Sequence, residues 1–205
     1  MNNERFLAIN ISQGKLFGQL SLPASPRSLI IVPRGGDSHG AQAHLLAALL
    51  AEQHAVLSID LLTHQEIHVS DIARNVHELT PRLTRLLDYL KQDIDAGGLP
   101  IGMFAVGHAA AAAVRCAAQR DAEVRALVTY QGLIDHAGLT YLQALNAPLL
   151  VVLHEDETAL IAATERAFNH IPAEHALHFG DAASVVRQSC DWFNQCFPQT
   201  RVAGR

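Results

Sequence analysis

The chain has 205 residues, of which 49% are hydrophobic, and its formal net charge at pH 7 is −5. This length supports a sizeable core, and the apolar share excludes an intrinsically disordered chain. The sequence has no basic block, no basic stripe interleaved with aromatic residues and no run of about 18 apolar residues, so neither nucleic acid nor a membrane is expected as a partner.

The first part of the chain predicts a β-hairpin followed by a buried strand. Residues Arg5–Ile11 and Leu16–Leu22 alternate apolar and polar side chains around the turn Ser12–Gly14, a pattern typical of a hairpin with one buried face. Ser28–Val32 is a short apolar run followed by Pro33, which indicates a strand that is buried on both faces and ends at the proline.

The rest of the chain alternates helical and strand patterns. Helices are predicted at residues 41–53, 69–95, 109–119, 158–170 and 182–196. Strands are predicted at residues 55–59, 100–105, 125–130, 147–153 and 175–179. Pro81 lies within the second helix and is expected to break or bend it. This alternation predicts an α/β fold with a mostly parallel, doubly wound sheet, preceded by the antiparallel hairpin.

The cysteines and the chain start indicate a cellular compartment. Cys116, Cys190 and Cys196 are odd in number and show neither metal-ligand nor CxxC spacing, which indicates reduced thiols in a cytoplasmic protein. Met1–Phe6 lacks the basic start and apolar run of a signal peptide. Because no repeat or low-complexity linker is evident, residues 1–205 are predicted to form one domain, and no metal or cofactor is expected.

Leu99–Val114 resembles the elbow region of the dienelactone-hydrolase branch of the α/β-hydrolases. In that branch a Leu-Pro-Ile-Gly strand leads into a Gly-x-Ser-x-Gly turn and an alanine-rich helix. Three further segments resemble the family's Asp-Leu-Leu-Thr turn, the strand before its catalytic acid and its closing helix: Ser58–Thr63, Leu145–Val152 and Asp191–Phe193. The chain is similar to the small members found fused or adjacent to phosphoribosyltransferase domains. The resemblance implies an α/β-hydrolase fold without a large cap domain.

The elbow of this chain lacks the nucleophile that the resemblance implies. In the family the elbow serine attacks an acyl carbon, a histidine takes its proton and an acidic residue orients the histidine. The turn here reads Ala105-Val106-Gly107-His108-Ala109. The small residues required two positions before and after the nucleophile are Ala105 and Ala109, so Gly107 occupies the nucleophile position. Glycine tolerates the positive φ of an elbow but has no side chain with which to attack.

His108 is the alternative catalytic residue. A register shifted by one would place it at the tip of the elbow, although histidine is a rare acyl nucleophile. At the start of the following helix it would instead pair with Asp156 and act as a general base. The structural alternative is a polar residue satisfied at a helix N-terminus, where the helix dipole disfavours the protonated ring.

The other family positions are only partly present. The resemblance places Asp156 at the catalytic acid, although acidic residues are also favoured in the first turn of a helix. No histidine occurs in Phe179–Ser184, where the family carries its catalytic histidine. Relatives often have His-Gly after the first parallel strand, whereas this chain has Pro33-Arg34-Gly35-Gly36. The oxyanion-loop candidates are Gly35, Gly36 and His108.

Loss of the nucleophile and the histidine predicts a hydrolase-fold protein without Ser-His-Asp activity. Such a protein would act as a binding or interaction module for a small molecule or a protein. Two alternatives remain open: a hydrolase of carboxylic esters or dienelactones with a non-standard nucleophile, and an enzyme that depends on His108 and Asp156. The fold alone does not decide between them, because function depends on the site.

Overall fold

The computed structural model describes residues 3–34, 40–66 and 75–198, with the side chains of residues 40–43 excepted. The strands are β1 Asn3–Ile11, β2 Gly14–Leu22, β3 Ser28–Arg34, β4 His54–Asp60, β5 Ile101–Val106, β6 Val124–Tyr130, β7 Leu149–Leu153 and β8 His175–Phe179. The helices are α1 Gly40–Ala51, α2 Val76–Leu90, α3 Ala109–Gln119, α4 Leu139–Gln143, α5 Thr158–Phe168 and α6 Ala182–Cys196. A 3₁₀ turn spans Ile134–Ala137.

The eight described strands form one sheet in the order β1-β2-β4-β3-β5-β6-β7-β8. β1 and β2 pair antiparallel, with Asn3 opposite Leu22 and Ile11 opposite Gly14, and β2 pairs antiparallel with β4. The other neighbours pair parallel. The predicted α/β class, with a mostly parallel sheet and an N-terminal hairpin, is confirmed. The carboxyl ends of the six parallel strands therefore meet at one edge, where sites form in sheets of this kind.

Helices cover both faces of the sheet because the inner strands are apolar on both faces. β3, β4 and β7 are buried over nearly their whole length. On one face α1 and α6 pack on the sheet through a cluster that includes Leu49 and Phe193. On the other face the cluster includes leucines of α2 and the alanines of α3. The run Ala109–Ala113 is fully buried, which lets α3 approach the sheet closely.

Strand β3 does not end at Pro33, as the sequence predicts, but continues to Arg34. Pro33 pairs with Ile59 of β4 on one side. On the other side the pairing of β3 with β5 extends only over Leu29–Ile31. A proline, which cannot donate a ladder hydrogen bond, is tolerated where one edge of its strand is unpaired.

Pro81 neither breaks nor ends α2, which runs continuously from Val76 to Leu90. The helix begins at Asn75, whose side chain accepts a hydrogen bond from the His77 N–H. Pro81 lies on the exposed side, so water can satisfy the carbonyl group that loses its N–H donor. The predicted start at residue 69 lies outside the described residues. No helix in the described ranges has the length and hydropathy needed to cross a bilayer.

A buried polar network joins the starts of β3 and β4 to α6. His54 is fully buried, and its Nδ1 lies 2.6 Å from the Ser28 hydroxyl. Its Nε2 lies 3.0 Å from Nη2 of Arg27. Oδ1 of Asn194 in α6 lies 3.0 Å from the same Nε2 and also accepts a hydrogen bond from Nη2 of Arg27. Burial, reinforced by the charge of Arg27, lowers the pKa of His54 to about 4.

We predict that His54 makes the protein less stable as the pH falls from 6.5 towards 4. The pKa of His54 falls from 6.5 to about 4 on folding, so in this window the unfolded chain binds a proton that the native chain does not. The free energy of unfolding should decrease by up to about 3 kcal/mol. Urea denaturation of the wild type and His54→Gln between pH 4 and 8 measures the difference in slope.

The pH window separates the His54 contribution from that of the buried Arg82–Glu66 ion pair. Hydrogen bonds from Arg82 lower the pKa of Glu66 from 4.5 to about 2, so this pair weakens at a lower pH. The His54 contribution is contradicted if the wild type and His54→Gln lose stability in parallel between pH 6.5 and 4.5.

Candidate functional site

The turn between β5 and α3 keeps the backbone of a nucleophile elbow. Gly107 has a φ of +56°, and α3 begins two residues later at Ala109. The Gly107 N–H donates to the Tyr130 carbonyl at 3.0 Å, and the Gly107 carbonyl accepts from Ala110 at 3.2 Å. A Cβ atom on Gly107 would meet the Gln131 carbonyl oxygen at 4.0 Å. The turn therefore has space for the side chain that it lacks.

The loop after β6 closes over this turn. The Gln131 N–H donates to the Val152 carbonyl at 3.1 Å, and Gln131 has a φ of +53°, which is uncommon for a residue other than glycine. A Cβ atom on Gly132 would collide with the Ala110 side chain and lie 2.7 Å from the Gly107 carbonyl oxygen. Glycine at 132 is therefore what allows the β6 loop to rest on the elbow.

A phenol–imidazole pair lies where β6 and β7 end. The Tyr130 hydroxyl is 3.2 Å from Nε2 of His154, and the two rings meet edge to face with centroids 5.8 Å apart. Burial raises the pKa of Tyr130 above its ordinary value, so the phenol keeps its proton. Next to this pair, the Gln131 side chain lies near the Tyr130 hydroxyl and counteracts part of the pKa increase, while its buried Nε2 makes no hydrogen bond of good geometry with any described residue.

The ends of β3 and β4 carry an ion pair on the same edge. Nη2 of Arg34 lies 2.8 Å from Oδ2 of Asp60, and the Leu61 N–H donates to the Arg34 carbonyl at 3.0 Å. Both side chains are partly exposed, so the attraction between them is screened by water. The oxyanion-loop candidates Gly35 and Gly36 lie outside the described residues.

The two residues predicted to pair in a catalytic role are both exposed. His108 lies at the N-cap position of α3, with a helical φ of −67° and no capping hydrogen bond from its side chain. Asp156 lies in the turn after β7, where its carbonyl accepts from the Thr158 N–H at 2.9 Å. Within the described ranges no hydrogen bond or ion pair joins the two side chains, and their joint role stays a prediction.

The segment that would carry a catalytic histidine is only two residues long. β8 ends at Phe179 and α6 begins at Ala182. The Gly180 N–H donates to the Leu153 carbonyl at 2.9 Å. The Asp181 carboxylate caps α6 by accepting from Ala183 at 3.1 Å and Ser184 at 2.8 Å. Both residues between β8 and α6 therefore bond to neighbouring elements, and neither is a histidine.

Solved structures share the architecture of this chain over nearly its whole length. Dienelactone hydrolase from Anabaena variabilis ATCC 29413 superposes with a TM-score of 0.89 at 23% identity, over 96% of this chain and 99% of that chain. The chain has the α/β-hydrolase fold. The predicted resemblance to the dienelactone-hydrolase branch is thereby confirmed at the level of the fold.

Two more distant structures share this α/β-hydrolase fold. Est1E from Butyrivibrio proteoclasticus has a TM-score of 0.74 at 12% identity, over 95% of this chain and 99% of that chain. The dienelactone hydrolase-like phosphotriesterase P91 from metagenomic libraries has a TM-score of 0.76 at 13% identity, over 96% of this chain and 99% of that chain. At these identities the likeness concerns the fold alone.

Sequence comparison finds two longer relatives. Both carry the name "Putative phosphoribosyl transferase", come from two strains of Mycobacterium tuberculosis, and are 29% identical over 190 residues. The match covers 86% of this chain but 43% of each relative, so the chain spans less than half the length of these relatives. No protein-family model matches the chain.

The sequence did not single out Tyr130, Gln131 or His154 as site residues. Their location near the site could have been predicted, because each residue lies at or directly after the carboxyl end of a predicted strand. The pairing of Tyr130 with His154 depends on the neighbouring positions of β6 and β7 in the sheet. The described residues contain no group of three or more potential metal ligands.

We predict that Gly132→Ala destabilises the protein by about 1–3 kcal/mol, because the added methyl group collides with the elbow and with α3. Gly98→Ala is the matched control, since a Cβ atom at 98 would meet nothing within 4 Å, and it should change stability by less than about 0.5 kcal/mol. Urea denaturation of both variants measures the difference. Equal effects would show that the β6 loop does not rest on the elbow.

Proposed function

We propose that this chain is an α/β-hydrolase-fold binding module that has lost Ser-His-Asp hydrolase activity. The observation that carries the proposal is Gly107, which adopts the positive φ of the elbow at the position where the family presents its serine. Acyl transfer by this route needs a hydroxyl or thiol at that position. Glycine has neither, so the turn persists without its nucleophile.

The connection between β8 and α6 supports the same conclusion. A catalytic histidine needs a loop that brings its ring to the elbow, and the two residues of this connection are Gly180 and Asp181. The Asp181 carboxylate is already bonded to two N–H groups of α6. Two parts of the family's mechanism are thus missing, and restoring one of them would not restore the other.

The side chains around the elbow suit a ligand with an oxygen acceptor. Gln131 contributes a buried amide nitrogen without a partner in the described structure, and an amide nitrogen can only donate. A Cβ atom on Gly107 would meet no atom beyond its chain neighbours closer than the Gln131 carbonyl oxygen at 4.0 Å. We infer that a small molecule with a carbonyl or carboxylate group binds there without being cleaved.

A protein partner is also part of the proposal. The match with this chain covers 43% of each relative named as a phosphoribosyl transferase. More than half of each relative therefore has no counterpart in this chain. We infer that this module acts together with a phosphoribosyltransferase domain or protein. A cytoplasmic location fits this role and the three free cysteines.

The second candidate is an enzyme that works through acid–base chemistry. The observation that favours it is the Tyr130–His154 hydrogen bond of 3.2 Å, since a phenol and an imidazole can exchange a proton. His108 and Asp156 would have to form their contact when a substrate binds, because no hydrogen bond joins them in the described structure. The absence of an elbow nucleophile makes this candidate the weaker one.

The first test is active-site labelling of the wild-type chain. With a fluorophosphonate probe we expect no stoichiometric adduct, and with p-nitrophenyl acetate no turnover above buffer, while a serine esterase run in parallel reacts fully. Binding is followed by NMR of the His154 ring during titration with methyl butyrate, which should shift its signals in the wild type and not in Gln131→Leu. Turnover that His154→Gln or Asp156→Asn abolishes would establish the enzyme instead.

The second test introduces the missing hydroxyl. Gly107→Ser should fold, because space is available, with a loss of about 1–2 kcal/mol from the positive φ. We expect it to stay unreactive towards the fluorophosphonate, because removing the histidine alone costs a serine hydrolase about as much as removing the whole triad. Rapid, complete labelling of Gly107→Ser would reveal a hidden base. A double variant with His154→Gln or His108→Gln would then identify it.

A further inference from the structure

Strand β1 has one unpaired side. It is nine residues long, stands first in the strand order and has β2 as its neighbour. The Asn10 carbonyl accepts a hydrogen bond from Nε of Arg85 at 2.9 Å, so the backbone groups of Asn10 point away from β2. Alternate residues of an antiparallel strand direct their N–H and carbonyl groups to the same side. The N–H and carbonyl groups of Phe6 and Ala8 therefore also point away from β2, and no described residue bonds to them.

The outer face of the β1–β2 hairpin carries two exposed phenylalanines. Phe6 is 82% exposed and Phe17 is 55% exposed. Ala8 pairs with Phe17 across the hairpin, and Phe6 pairs with Gln19, so the two rings lie diagonally on one face with the small Ala8 between them. The residues that alternate with these in β1 point towards the core. An unpaired strand beside an exposed apolar face is a template for pairing with another strand.

β1 can pair with β1 of a second copy over its whole length. Two antiparallel copies related by a two-fold axis keep every side chain on its own face of the joined sheet. The register centred on Leu7 pairs all nine residues, because Asn3 then stands opposite the partner's Ile11. In this register Phe6 and the partner's Ala8 exchange two backbone hydrogen bonds, and the symmetric pair does the same. The groups that are unpaired in one copy thus satisfy each other in two.

The apolar side chains of the outer face are complementary in this register. Phe6 stands beside the partner's Ala8, and the partner's Phe17 lies on the other side of that alanine, because Ala8 and Phe17 pair across the hairpin. The small methyl group of the alanine leaves room for the two rings to meet above it. The two-fold axis repeats the arrangement, so both exposed phenylalanines of each copy become partly buried.

The charges at the two ends of this face are complementary as well. Glu4 stands opposite the partner's Asn10, whose own neighbour across the hairpin is Lys15. Glu4 and the partner's Lys15 are therefore two strands apart, a Cα separation of about 10 Å that these two long side chains can span. We propose that the protein forms a two-fold dimer in which two β1 strands pair antiparallel about Leu7 and join the two sheets.

The first experiment is sedimentation equilibrium of the full chain between about 1 and 500 μM. The interface is small, so we expect a dimer Kd of about 10–100 μM. Phe6→Lys should weaken the dimer at least about tenfold, because a charge on an edge strand opposes pairing, and should leave Tm nearly unchanged, because Phe6 is exposed. Phe179→Lys is the matched control. It makes the same change on β8, at the other end of the strand order, and should dimerise like the wild type.

The second experiment exchanges the charges and tests the register. Glu4→Lys and Lys15→Glu each bring like charges together across the dimer axis, and each should weaken the dimer about threefold or more. The double variant Glu4→Lys/Lys15→Glu restores opposite charges and should return Kd to within about twofold of the wild type. A general effect of net charge would instead move the two single variants in opposite directions.

Three results would overturn the proposal. The first is a monomer over the whole concentration range, which would leave the hairpin face to a different protein. The second is a dimer that Phe179→Lys breaks and Phe6→Lys does not, which would place the interface at β8. The third is a double charge variant that dimerises no better than the single variants, which would exclude the register centred on Leu7. None of these results depends on the chemistry of the elbow.

Discussion

The close contact between the elbow and the β6 loop is the constraint on which the candidate site depends. Gly107 turns the chain from β5 into α3 with a positive φ, and its N–H and carbonyl bond to Tyr130 and Ala110. Gly132 lies against the same carbonyl with no room for a Cβ atom. These contacts fix where β6 ends, and therefore where Tyr130 and Gln131 stand relative to the elbow.

The two edges of the sheet have different polar arrangements. At the carboxyl edge the Tyr130–His154 pair is partly accessible, and the Arg34–Asp60 pair is screened by water. At the amino edge His54 is fully buried, and its contacts with Ser28, Arg27 and Asn194 tie the starts of β3 and β4 to α6. The amino-edge network thus stabilises the fold.

The sequence predicts the scaffold better than the site. Apolar runs and helical spacing are local signals, so the hairpin, the alternating elements and the bounds of α3, β8 and α6 are close to those observed. The predicted strand end at Pro33 and the predicted helix break at Pro81 were wrong, because the effect of each proline depends on what lies beside it. The short helix α4 and the 3₁₀ turn after β6 were missed, since neither is long enough to show a period.

Most of the candidate site cannot be predicted from local sequence patterns, because its residues come from separate parts of the chain. Gly107 could be assigned from its flanking alanines, because the elbow is a contiguous motif. The Tyr130–His154 pair joins residues 24 positions apart, and only the neighbouring registers of β6 and β7 bring them together. The sequence therefore shows that the elbow lacks a nucleophile. The side chains near the elbow are known only once the order and register of the strands are known.

The backbone around the elbow bears on whether the site has been abandoned. A serine at 107 would hold a positive φ at a cost of about 1–2 kcal/mol, which glycine avoids. Loss of the nucleophile thus relieves the strain that the chemistry requires. Gln131 nevertheless keeps a φ of +53° and a buried amide without a partner in the described structure. This backbone lets the β6 loop rest on the elbow through the Gln131–Val152 hydrogen bond, and the proposed binding function would use the Gln131 amide as a positioned donor. The conformation of Gln131 therefore serves the packing of the loop first, and the proposed binding of a ligand would make use of a side chain that this packing already positions.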